Sequence, residues 1–244
     1  MKVVGIIPAR YGSTRLPGKP LKDICGKPML WWVYNRVYGI EQLDEVYVAT
    51  DDTRIEAVCK QYEMPVILTR NDHRTGAPQL QEVSEHISAD FYLQLNGDEP
   101  LIDTRAITAA IPEKVPQNRE YGTNIITPMH EPSQVLDPTN IKMIFDSNMR
   151  ALYMSRGAMP YPYKSIDFLY YKHVGIIGYN KKMLDFYKDS FPGRLERIEG
   201  IDTLRFLDYG KELQLFIVED CKCLSVDTEK DLEEVRRIMG EVNE

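Results

Sequence analysis

Residues 3–21 read VVGIIPARYGSTRLPGKPL, and the fold of the chain turns on how this segment divides. Val3 to Pro8 is a short, β-rich and nearly continuous apolar run. Such a run suits a strand covered on both faces rather than one with a wet side. The residues directly after it change character: Gly12, Pro17 and Gly18 hold a loop open, and Arg10, Arg15 and Lys19 bring three cations within ten positions, with Ser13 between them. Backbone N–H groups, a hydroxyl and clustered positive charge at the end of a strand make an anion cradle. The loop contains neither G-x-x-x-x-G-K-[ST] nor G-x-G-x-x-G, so it is neither a P-loop nor a dinucleotide fingerprint.

Three further runs of the same kind follow, at Val46 to Thr50, Val66 to Thr69 and Phe91 to Leu95, with helical stretches at Met29 to Tyr38 and Asp52 to Tyr62. Strand alternating with helix at this spacing predicts a parallel, right-handed βαβ sheet. Ligands gather at the carboxyl ends of such strands. From about Tyr121 the pattern shifts to shorter runs, Asn124 to Pro128, Ile141 to Phe145 and Ala151 to Met154, with a turn at Asp146-Ser147-Asn148. A helix over Leu195 to Tyr209, a strand over Leu213 to Val218 and a last helix through Ile238, capped by Asp227 or Thr228, complete the expected order. The expected fold is a single α/β domain over 1–244: a nucleotide-binding half to about residue 120, a smaller mixed, hairpin-bearing half over 121–227, and a C-terminal helix over 228–244.

Composition narrows the function. With 244 residues, 43% hydrophobic, the chain can bury a substantial core, and its net charge of −7 argues against nucleic acid or an anionic membrane as partner. Any anionic ligand must therefore meet a local basic cluster, and the three cations after the first strand point to a triphosphate; the alternative is a solvated basic turn. The N-terminal apolar stretch is too short for a signal segment or a membrane span, so a cytoplasmic location is expected. Cys25, Cys59, Cys221 and Cys223 match no metal or redox spacing and read as small buried apolar residues.

The segment Leu95-Asn96-Gly97-Asp98-Glu99-Pro100 follows the fourth strand. A carboxylate beside a triphosphate loop is most simply a Mg²⁺ ligand, since magnesium takes one or two carboxylates plus phosphate oxygens and water. A turn with a helix-capping aspartate is the alternative for Asp98, and Asp227 reads either as a helix cap or as a second metal ligand.

The blocks IIPARYGSTRLPGKPL, GKPML, ATDD, GDEP, ALYMSR, KHVGIIGY, LERIE and SVDTEKDLE run in order along essentially the whole chain. Together they resemble the 3-deoxy-manno-octulosonate (Kdo) cytidylyltransferases, also called CMP-Kdo synthetases. The resemblance implies a Rossmann-like, three-layer nucleotide-diphospho-sugar-transferase fold and a homodimer. It also implies that CTP and a 2-keto-3-deoxy sugar acid are joined for surface polysaccharide or lipopolysaccharide synthesis. By position it gives Pro8, Ala9, Arg10, Ser13, Arg15, Lys19, Thr75, Gly76, Asn96 and Asp98 to the nucleotide, with Arg10, Lys19, Asp98 and Asp227 as the catalytic set and the two aspartates as Mg²⁺ ligands. Asn96, Arg156, His173, Tyr179, Glu196 and Glu199 fall to the sugar acid.

Without the resemblance, His173 and Tyr179 also fit a hydrogen-bonded core pair, Arg156 a cation on strand-end carbonyls, and Glu196 and Glu199 residues favouring a helix dipole. The chain departs from its relatives in three places. It has Thr75-Gly76-Ala77-Pro78-Gln79 where they carry Ser-Gly-Thr-Asp/Glu-Arg, with Pro78 suited to the first residue of a helix. It also has Asn96 for Gln and Ile177 for Tyr. These changes leave open a modified acid, such as an amino-Kdo, and the strictness for CTP.

Overall fold

The apolar run at the head of the chain forms strand β1, Val3–Ala9, and its alternating residues feed two different cores. Val3 and Ile7 pack on one side of the sheet, Val4 and Ile6 on the other, so the strand is covered on both faces. The computed structural model in which this is seen describes residues 1–13, 15–73, 75–165, 168–221 and 224–242.

A 3₁₀ turn at Lys19–Leu21 precedes the small hairpin β2 (Asp23–Ile24) and β3 (Lys27–Pro28). The chain then alternates through α1 (Met29–Val37), β4 (Glu45–Thr50), α2 (Thr53–Gln61), β5 (Val66–Leu68), α3 (Gly76–His86), β6 (Phe91–Leu95) and α4 (Thr104–Ala109). The second half runs β7 (Tyr121–Met129), α5 (Pro132–Leu136), β8 (Lys142–Phe145), β9 (Ala151–Ser155), β10 (Tyr170–Tyr179) and α6 (Lys181–Asp189). It ends with α7 (Arg194–Glu199), α8 (Leu204–Asp208), β11 (Glu212–Ile217) and α9 (Glu229–Val242).

The main sheet runs β11-β7-β10-β6-β1-β4-β5, with β8 and β9 attached beside β10. β4, β5 and β6 join β1 in parallel, whereas β10 is antiparallel to both β6 and β7. The chain leaves β1 toward β4 and returns on its other side as β6, which makes the β1/β6 boundary a topological switch point where a ligand crevice belongs. Apolar residues of α1, α2 and α4 cover one face; those of α3, α6 and α8 cover the other, giving three layers. Each large aliphatic side chain buried in these layers contributes roughly 1.5–3 kcal/mol. A third cluster joins Leu232, Val235 and Met239 of α9 to Leu16 and Ile24, so the last helix clamps the loop that follows β1.

Several sequence expectations are adjusted. The helix expected over Leu195 to Tyr209 is two short helices, because Gly200 adopts φ 64° and ends α7 with its N–H on Glu196 O at 2.8 Å. Helix α3 begins at Gly76, two residues before Pro78, which still falls among the first-turn residues whose N–H has no helical acceptor. The last helix is capped by Thr228: its Oγ1 accepts from Asp231 N at 3.3 Å while Asp231 Oδ2 accepts from Thr228 N at 2.8 Å. Cys59 and Cys221 are buried, but Cys25 is exposed at the tip of the β2–β3 turn, and Cys223 lies outside the described residues. No helix among the described residues is long and apolar enough to cross a membrane.

Candidate active site

The loop after β1 is shaped by apolar anchors that leave its polar groups outside. Leu16 and Pro20 are buried, and Tyr11 is held under the Arg54 guanidinium, 3.3 Å from the ring centroid. Tyr11 O in turn accepts from Ser13 N and Gly18 N at 2.9 and 3.1 Å. The result is a compact loop rimming a cleft of about 400 Å³, lined among others by Pro8, Ala9, Arg10, Ser13, Arg15 and Lys19. Ser13 Oγ is partly engaged within the loop, accepting from Leu16 N at 3.3 Å. Arg10 Nη1 donates to His73 O at 3.3 Å and so ties the loop to the segment before α3.

The opposite wall comes from the end of β6. A methyl group on Gly97 would lie 2.6 Å from Pro8 O, so only glycine lets the two strand ends meet backbone to backbone. That approach carries Asp98 to Lys19, whose Nζ donates to Asp98 Oδ2 at 2.6 Å and to Asp227 Oδ1 at 3.0 Å. Val226 N donates to Asp98 O at 2.9 Å, which holds the two aspartates side by side, and Arg15 Nη2 reaches Asp227 Oδ1 at 3.0 Å. Because Thr228 supplies the helix cap, the Asp227 carboxylate is left to this cluster. Desolvation works against the Lys19 ammonium, but attraction to Asp98 and hydrogen bonds to both aspartates outweigh it and hold its pKa above the ordinary lysine value. One cationic nitrogen thus sits between two carboxylate oxygens, where a divalent cation would also be drawn. Among the described residues no group of three or more His, Cys, Asp or Glu forms a metal cage. Two carboxylates fit instead a magnesium ion that shares its shell with phosphate oxygens and water.

Asn96 stands at a junction. It lines the 400 Å³ cleft and two neighbouring cavities of about 600 and 200 Å³. Its Nδ2 donates to Glu99 Oε1 at 3.0 Å. His173 lines both neighbours, and Tyr179 the smaller. Strand β10 changes register between His173 and Ile177, and Asn124 Nδ2 bridges the irregularity by donating to Val174 O and Ile176 O at 2.8 and 2.9 Å. Desolvation pushes the His173 imidazole down to about 4, and burial raises the Tyr179 phenol well above its ordinary value. Both are therefore neutral groups able to donate or accept hydrogen bonds at neutral pH.

The remaining sugar-side candidates divide differently. Arg156 lines none of these cavities: it donates to Glu199 O at 2.9 Å, Pro138 O at 3.0 Å and Gly200 O at 3.4 Å. Glu199 accepts from Ser155 Oγ at 2.6 Å and Arg156 N at 3.0 Å. Glu196 forms a buried two-pronged pair with Arg205, at 2.7 and 2.8 Å, on the wall of a larger cavity of about 710 Å³ that Thr75 also lines. The structure thus joins Arg156 to Glu199 and Glu196 to Arg205, and does not bring them to His173 and Tyr179.

Three residues on these walls were not among the sequence candidates for the site. Asp202 faces both the 200 and the 710 Å³ cavities, and burial raises its carboxyl above the ordinary value. Gln79 and Gln94 line the 400 Å³ cleft. Gln94 was within reach of sequence reasoning, since it precedes Asn96 by two and so lies on the same side of its strand.

With this geometry in hand, the comparisons with known proteins place the chain. The family described as Cytidylyltransferase matches residues 4–213. The 3-deoxy-manno-octulosonate cytidylyltransferase of Escherichia coli is 38% identical over 242 residues, covering 98% of this chain and 97% of the relative. The 8-amino-3,8-dideoxy-manno-octulosonate cytidylyltransferase of Shewanella halifaxensis is 36% identical, covering 95% and 96%. A solved structure of CMP:2-keto-3-deoxy-manno-octonic acid synthetase complexed with CTP superposes with a TM-score of 0.90 at 36% identity, covering 99% of this chain and all of the other. The chain belongs to the cytidylyltransferase family. It is a CTP-dependent nucleotidyltransferase.

Proposed function

We propose that this enzyme transfers CMP from CTP to Kdo, releasing pyrophosphate, and that it works with Mg²⁺ as a cytoplasmic homodimer. The observation that carries the reading is the meeting of Lys19, Asp98 and Asp227 at the cationic mouth of the 400 Å³ cleft. The full-length likeness to Kdo cytidylyltransferases supports the acceptor. In this reading residues 1–120 hold the nucleotide and 121–227 the sugar acid and the partner subunit. Tyr161 and Tyr163, both strongly exposed, suit the partner surface.

Arg10, Arg15, Ser13 and the loop N–H groups bind the phosphates, and Lys19 neutralises charge as it grows on the bridging and leaving oxygens. Asp98 and Asp227 would hold Mg²⁺, which supplies Lewis-acid polarisation of the phosphate oxygens when bound. Asn96, placed where the cavities meet, orients the acceptor toward the α-phosphorus, and neutral His173 and Tyr179 bond its hydroxyls. Positioning and charge neutralisation then account for the rate, with no covalent nucleophile.

A second reading keeps the chemistry and changes the acid. Asp202, a half-buried carboxyl group on the acceptor side, suits an amino group on the sugar, as in the substrate of the Shewanella relative. Pyrophosphate release from all four nucleotides against Kdo, 8-amino-Kdo and nonulosonic acids tests both. Turnover with CTP and Kdo is expected; exclusive use of the amino sugar favours the second reading, and no turnover with any 2-keto-3-deoxy acid defeats both.

A further inference from the structure

The nucleotide cleft contains two polar groups that phosphate binding leaves without a task. Gln79 is fully buried on the first turns of α3, yet it lines the cleft with Pro8, Ala9, Gly76 and Gln94. Its Nε2 donates to Thr69 Oγ1 at 3.3 Å, while its Oε1 meets no donor; the buried Oε1 of Gln94 meets none either. Buried acceptors are nearly always satisfied in folded proteins, so two of them on one cleft mark the place of a donor-rich ligand group. With the phosphates at the cations, the part of the cleft walled by these amides and by uncharged backbone remains for the base.

We propose that Gln79 and Gln94 read the base by accepting the two N–H bonds of cytosine's exocyclic amine. Uracil has a carbonyl oxygen at that position. It would face two acceptor oxygens, and to offer an NH₂ in their place Gln79 would have to turn its amide over and accept from Thr69 Oγ1 where it now donates. Discrimination thus rests on the amide orientations that helix α3 and strand β6 present to the cleft.

The inference rests on the cytidylyltransferase reading, and equilibrium binding separates the two. In the presence of Mg²⁺, the wild-type chain should bind UTP and N4,N4-dimethyl-CTP about ten- to a hundredfold more weakly than CTP, the loss expected for unpaired buried acceptors. Q79M and Q94M should move the CTP:UTP ratio toward one by weakening CTP. Equal wild-type affinity for CTP and the dimethyl analogue overturns the proposal, and so does a folded Q79M that keeps the wild-type ratio. If Q79M does not fold, the analogue on the wild-type chain decides alone. Failure of every sugar acid to release pyrophosphate would strike the acceptor reading, while the binding ratios still decide this one.

Discussion

The two halves of this enzyme use charge in opposite ways. Around the cleft after β1 and β6, Arg15 and Lys19 pair with Asp98 and Asp227 while Arg10 lines the same open space, which leaves a ligand room to enter. Beyond β9, Arg156 and Arg205 are occupied by Glu199, Glu196 and neighbouring carbonyls, and their bonds hold short helices onto the sheet. The first arrangement favours a reaction; the second favours a shape. Substitutions should therefore separate turnover from stability.

The largest effect is expected in the second half. Glu196→Ala leaves the Arg205 guanidinium buried without its partner and should cost about 3–5 kcal/mol of stability, read from urea unfolding. A loss under about 1 kcal/mol would erase the contrast. In the first half, Lys19→Met should lower kcat/KM for CTP about 10²- to 10³-fold, the scale set by removing one preorganised charge donor. Steady-state pyrophosphate release checks it, and unchanged turnover would remove Lys19 from the catalytic set. Gly200→Ala sharpens the comparison at the α7–α8 break: an L-residue held at φ 64° should cost about 1–2 kcal/mol, measured by the same unfolding curves.

A further test concerns pH. His173 has a folded pKa near 4 against an ordinary 6.5. As pH falls from about 6.5 toward 4, the unfolded chain takes up a proton that the native fold refuses, so stability declines on that limb. Unfolding midpoints against pH should flatten there in His173→Gln, and an identical profile would count against burial as the cause.

Legibility in the sequence follows the same divide. The basic loop is readable because its cations lie within ten positions after one strand, and Asp98 because it follows closely on another. Gln79 is not, since a glutamine inside a helix looks like a residue for the solvent face, and only the packing of α3 against the sheet turns it toward the cleft. Asp202 follows a helix break that apolar periodicity did not reveal, because Leu195 to Tyr209 keeps its spacing across Gly200. For Arg156 the residue type left a carboxylate and a set of carbonyls equally open, and the structure has the carbonyls.

Lys19 and Asp227 lie 208 positions apart, yet they share one hydrogen bond across the mouth of the cleft. During synthesis the loop after β1 and the first carboxylate leave the ribosome long before the second carboxylate and the helix that clamps the loop exist. A nascent chain therefore carries half a charge cluster and no finished cleft. The cluster closes only after Asp227 and the helix behind it have been made.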